Sequence, residues 1–224
     1  YTGGEGDFVA FIKASTLYKP GTLKKLVEQS KKNPKLPIAL TPQYKNRKGT
    51  LLEYLKFDEP KNTCIQVQEN CTWYNPYIGA YFFPAQLVCK VELNEDLRYE
   101  GLMDYCMRLI DEAGSYYLLK ETVFIKEDLE VDPYNYPPLY DREWYKEHVE
   151  EYILPILSQN PNRFIQFAMY YSICAKLAGN MNDRNKALFT KEEKDDFYES
   201  IRKALQLIDD DVILYSDDLV MRRL

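Results

Sequence analysis

The run Phe8-Val9-Ala10-Phe11-Ile12 is apolar, and it ends on Lys13, Ser15 and Thr16 before Pro20 opens a helical pattern. In an α/β sheet the carboxyl end of such a strand is where ligand-binding groups collect. Acidic residues often stand there to meet a metal and a phosphate; Lys13 and Ser15 occupy the place here. The Lys13 ammonium is a compact cation suited to phosphate contact without a metal. The other reading is a lysine whose stem lies along the strand end while its charge snorkels to solvent.

Other residue types narrow the chemistry. The five cysteines, Cys64, Cys71, Cys89, Cys106 and Cys174, are odd in number, and none forms a Cys-x-x-Cys pair. That usage suits buried or free thiols in a reducing compartment, not a disulfide frame or a zinc site. The single histidine, His148, lies in a charged helical stretch and gives a histidine triad nothing to build on. No Gly-x-Ser-x-Gly elbow is present, and Thr2-Gly3-Gly4-Glu5-Gly6-Asp7 precedes a strand and lacks the Gly-Lys-Ser/Thr ending of a phosphate-cradling loop. Aromatics are abundant, with 20 tyrosines. Trp73, Tyr74, Tyr77 and Tyr81, with Tyr134, Tyr136 and Tyr140, could line a groove that stacks on sugar rings; core and interface packing is the alternative.

The elements that must position these residues divide by composition. In residues 1–130, strands are expected over 8–12, 36–40, 78–83 and 116–125, and helices over 21–32, 47–56, 84–88 and 99–113. That alternation predicts an α/β layer. Residues 131–141, VDPYNYPPLYD, carry three prolines and read as a strap or boundary. A helical subdomain is expected over 142–224, with amphipathic helices at 141–158, 161–178 and 191–208. The second starts at Asn160-Pro161; the third starts from Thr190, with Glu193 at capping-box spacing.

Charge and hydropathy exclude two partner classes. A net charge of −6 over 224 residues argues against broad nucleic-acid binding, and no apolar stretch is long enough for a transmembrane segment. Positive charge is local: Lys24, Lys25, Lys31, Lys32 and Lys35, then Lys45, Arg47 and Lys48. These form either a solvated face or a surface for an anionic substrate or lipid headgroups. The opening residues carry no secretory-type pattern, so the expected location is the cytoplasm, including the inner membrane surface.

Residues 6–26, GDFVAFIKASTLYKPGTLKKL, resemble a segment of family 2 glycosyltransferases, whose GT-A fold binds nucleotide sugars. That segment reads Gly-[Glu/Asp]-Tyr-[Ile/Val]-x-Phe-[Leu/Ile]-Asp-x-Asp-Asp, then three residues, Pro and an amphipathic helix, and the spacing matches without a gap. In the family the Asp-x-Asp carboxylates hold a divalent metal that neutralises the donor diphosphate. Lys13, Ser15 and Thr16 stand at those positions, so neither metal nor cofactor is expected. Residues 74–128 resemble the family's second half, a glycine-bearing acceptor-site segment including Tyr77 and Gly79, followed by a helix whose Glu-Asp pair supplies the base. Counted from Arg108-Leu109, that pair falls on Gly101 and Leu102. Glu100 and Asp104, four apart on one helical face, are the candidates for a displaced base; the alternative is a pair of ordinary surface carboxylates. The tail resembles the helical extension of bacterial enzymes that build teichoic acids and capsular polysaccharides.

The resemblance implies a partial GT-A-like mixed sheet with helices, since the family's first strands and nucleotide-base pocket have no counterpart here. Two functions follow. The first is a transferase moving a sugar from a nucleotide donor to a cell-envelope glycan, weak or inactive alone, with Lys13, Ser15, Trp73, Tyr77 and Gly79 on substrate and Glu100 or Asp104 as base. The second is a non-catalytic module that binds glycan or the other domains or subunits of a longer synthase.

Overall fold

The computed structural model describes residues 7–12, 16–45, 51–53, 62–74, 78–126, 141–180 and 188–214. It divides into two compact units, Tyr1–Glu130 and Val131–Leu224. The first unit is α/β, built on a mixed sheet of seven strands. Its centre is the parallel pair β3 (Ile38–Lys45) and β7 (Ser115–Lys126). Each centre strand has a second edge shared by two short antiparallel strands. On β3 these are β6 (Tyr81–Pro84) at the start and β4 (Leu51–Glu53) at the end. On β7 they are β5 (Thr63–Gln66) at the start and β2 (Thr16–Tyr18) at the end. β1 (Phe8–Val9) closes the outer edge of β6.

The register breaks once in the central pair. Leu40 faces Leu119, but Thr41 faces Val123, so residues 120–122 of β7 are left without a rung. Bulges tolerate the missing N–H of a proline, and Pro42 follows the break directly.

Alternation along the strands gives each face its own helix. One face presents Ile38, Leu40 and Leu119 to Leu26 of α1 (Thr22–Lys32), with Phe8, Tyr18, Phe82 and Tyr117 packed around them. The Pro20-Gly21 turn launches α1, and Gly21 sits at φ 87, a left-handed conformation that glycine takes at little cost. The other face carries Tyr81, Phe83 and Tyr116. Tyr81 stacks on Phe83 at 5.7 Å and meets Tyr116 edge-on at 5.9 Å. Phe11 bridges that face to α3 (Gly101–Ala113), touching Phe83 at 6.3 Å and Tyr105 at 5.7 Å. A short helix, α2 (Ala85–Val88), follows β6, and Val88 O accepts the Tyr105 hydroxyl at 2.9 Å.

The second unit is helical among its described residues. α4 (Arg142–His148) is capped by Asp141, whose Oδ1 accepts from Glu143 N, and it runs through a π-helical turn, Val149–Ile153, into α5 (Leu154–Leu157). α6 (Arg163–Asn180) is buried around most of its girth, from Phe164 to Cys174. α7 (Lys191–Gln206) buries Phe197, Ser200, Ile201 and Ala204 on one face, and α8 (Asp210–Leu214) adds Val212. Tyr145 of α4 sits edge-on to both Phe189 and Phe197, at 5.5 and 5.8 Å.

Several expected elements change. Of the expected helix 47–56, residues 51–53 are strand β4, because pairing with β3 outweighs the local periodicity; 47–50 and 54–56 lie outside the described residues. The expected strand 8–12 keeps its ladder only over Phe8–Val9. Ile78–Ala80 form a 3-10 turn before the strand starts at Tyr81. α6 starts two residues later than Pro161, because Asn162 is its cap: its Oδ1 accepts from Phe164 N and Ile165 N, both at 3.1 Å. Asn160 instead takes φ 51 in the turn before it. The strap 131–140 lies outside the described residues.

Candidate functional site

The carboxylates expected as a displaced base stand at the start of α3, and the structure gives them different environments. Glu100 is the residue before the helix and holds φ 57, ψ 9, a left-handed conformation that costs a non-glycine residue about 1–2 kcal/mol. Residues ahead of a helix ordinarily take extended backbone. Glu100 O nonetheless accepts the first helical bond, from Asp104 N at 2.8 Å. Glu100 is half-buried and stands at the N-terminal end of α3. A carboxylate can accept a hydroxyl proton as a general base.

Asp104 is a buried ion-pair partner, not a surface carboxylate. Its residue is 5% exposed, and its Oδ2 accepts from Arg108 Nε at 2.9 Å and Nη2 at 2.7 Å. Arg108 sits one turn along α3, passes 5.9 Å from the centre of the Tyr105 ring, and donates from Nη1 to Glu92 O at 2.8 Å. The guanidinium thus ties the segment that leads into α3 to the helix itself. The signal for this pair was present in the chain, since Asp and Arg four apart on a helix face one another.

Behind these carboxylates is an apolar, phenol-rich wall. Burial, and after it the charge that Tyr81, Glu100, Cys106 and Asp104 can carry, holds the Tyr74 hydroxyl well above its ordinary value. Burial, then Asp104, pushes the Cys106 thiol far up as well. Both groups are therefore protonated at neutral pH. Tyr74 and Tyr81 are 4% and 1% exposed, so of the expected aromatic groove these two belong to the core.

The expected substrate-binding residues are distributed as follows. Trp73 is half-buried at the end of a 3-10 turn, Cys71–Trp73, and its carbonyl accepts the Tyr116 hydroxyl at 2.7 Å. Gly79 lies in the turn before β6 and its carbonyl accepts the Tyr18 hydroxyl at 2.8 Å. Burial raises the Tyr18 hydroxyl to about 12, so it keeps that proton. Lys13, Ser15 and Tyr77, and with them Tyr134, Tyr136 and Tyr140, lie outside the described residues. The charges of Glu100 and Asp104 both act on the Tyr74 hydroxyl, and Trp73 directly precedes Tyr74 in the chain.

Sequence reasoning missed a second polar cluster, inside the helical unit. Lys176 of α6 is fully buried; its Nζ donates to Ser172 Oγ at 3.0 Å and lies 4.3 Å from the centre of the Trp144 ring. His148, one turn beyond Trp144 on α4, is buried against the Tyr152 ring at 4.9 Å in the π-helical turn. The sequence signal was a lone lysine inside the otherwise apolar run Ile173-Cys174-Ala175-Lys176-Leu177-Ala178. An indole face and a hydroxyl allow an ammonium to be enclosed.

No known family model matches the chain, and no curated protein sequence matches it.

Proposed function

We propose that this chain is a partial GT-A-like, glycosyltransferase-like domain acting in bacterial cell-envelope polysaccharide or teichoic-acid synthesis, weakly active or inactive alone. The observation that carries the low activity is the closure of Asp104 on Arg108, which engages one of the two candidate bases in an ion pair. An antiparallel β1–β6 pair, an α1 helix on one sheet face and α3 on the other are compatible with the resemblance read in residues 6–26 and 74–128. In this reading Lys13 offsets the donor diphosphate in place of a metal, Ser15, Trp73, Tyr77 and Gly79 contact substrate, and Glu100 takes the acceptor proton.

Calorimetric titration with a panel of nucleotide sugars, in manganese and in chelator, tests the donor site. Binding is expected to persist in chelator and to weaken about tenfold or more in Lys13→Ala, the loss of one phosphate-contacting charge. Silence across the panel overturns the transferase reading, and undiminished binding in the variant overturns the role of Lys13. The second reading, a non-catalytic module binding glycan or a partner of a larger synthase, is favoured by the same Asp104–Arg108 closure. It predicts glycan binding without donor binding.

A further inference from the structure

Helix α1 carries two aliphatic side chains that the sheet does not use. Its inward stripe is Thr22, Leu26 and Gln29, while Leu23 and Val27 are 63% and 53% exposed. They are one turn apart and therefore adjoin on the helix surface. Lys24, three residues before Val27, and Lys31, four after it, border the same patch, and both are exposed. Among the described residues no ion pair engages either lysine. From Lys19 to Lys35 the sequence holds six lysines and one acidic residue, Glu28, in a chain whose net charge is −6.

Charge complementarity and the aliphatic centre together select an occupant. An acidic protein surface or a nucleic acid would satisfy the lysines but set Leu23 and Val27 against charged groups. At a bilayer surface both needs are met: branched aliphatic side chains enter the acyl boundary, and lysine stems extend their ammonium groups to headgroup phosphates. We propose that this face of α1 docks the chain reversibly on a bilayer rich in anionic headgroups, with Leu23 and Val27 inserted and Lys24 and Lys31 on the phosphates. The proposal does not depend on the transferase reading.

Flotation of the full chain with vesicles tests it. The vesicles are phosphatidylcholine alone, or the same lipid with about 30% phosphatidylglycerol to supply surface charge. Binding is expected only to the anionic vesicles, and raising salt from about 0.1 to about 0.5 M weakens it by screening. Lys24→Glu with Lys31→Glu lowers the bound fraction about tenfold or more, given the attraction each lysine contributes near an anionic surface. Leu23→Ser with Val27→Ser lowers it too, with circular dichroism and melting unchanged because both positions face outward. Absence of binding to the anionic vesicles, equal binding to neutral ones, or indifference to either double substitution overturns the proposal. So does a lipid-free dimer that either double substitution converts to monomer, since that assigns the face to a second copy of the chain.

Discussion

Arg108 shows how one side chain can decide what a neighbouring carboxylate is able to do. With Asp104 buried, the guanidinium supplies both its counter-charge and two of its hydrogen bonds. Removing one partner of such a pair strands the other without compensation, which costs about 3–5 kcal/mol when both are fully buried. The Arg108 side chain is 33% exposed, so solvent relieves part of that cost. Arg108→Ala is expected to destabilise the chain by about 2 kcal/mol, with Asp104→Asn milder because it removes the charge and keeps the shape. Urea unfolding of the two variants checks this; a loss under about 0.5 kcal/mol for Arg108→Ala would mean a solvated, dispensable pair.

Among the elements, α7 carries its own start signal. Thr190 Oγ1 accepts from Glu193 N, and Glu193 Oε2 accepts from Thr190 N at 2.7 Å, the reciprocal box expected from the spacing of the two residues. That backbone bond is the largest cause holding the Glu193 carboxyl below its ordinary value. Its support for the helix is therefore complete above the unfolded carboxyl value of 4.5 and fades as pH falls. Thr190→Ala is expected to cost about 1 kcal/mol and to speed amide exchange in the first turn of α7, readable by hydrogen exchange. The box was legible because both partners are three residues apart. So were α1, α3 and α7, whose buried positions recur with helical period; α6 was legible from its apolar run between Pro161 and Gly179, but it is buried around most of its girth and not along one amphipathic face as expected. Strands β2, β4 and β5 were not, because each has three or four residues and exists only through its pairing partner: Thr16–Tyr18 through the distant residues 124–126, Thr63–Gln66 through 115–118, and Leu51–Glu53 through the neighbouring 43–45. The same limit governed the site. The spacing of Glu100 and Asp104 was visible; the left-handed backbone of one and the burial of the other are tertiary features that spacing does not carry.

For the molecule as a whole, alkaline titration reaches buried phenols and a thiol around the sheet. Tyr18, Tyr74, Tyr105, Tyr116 and Cys106 are all raised, each chiefly by burial, and all belong to the first unit. A group whose folded value is raised binds its proton more tightly in the folded state. Its contribution is whole below its unfolded value and is lost as pH climbs toward the folded one. The thiol's ordinary value is 9.0 and the phenols' is 10.0, so the first unit is expected to weaken above about pH 9. Tyrosinate absorbance followed alongside amide exchange in the first unit checks this. Unchanged amide exchange in that unit across this range would contradict it.

Trp73 and Trp144 are the two indoles of the chain, and they fall one to each unit. Trp144 is enclosed beneath an ammonium, whereas Trp73 keeps partial access to water. Nature has thus supplied a separate fluorophore for each half: emission from a Trp73→Phe protein follows the helical bundle alone, and emission from a Trp144→Phe protein follows the sheet.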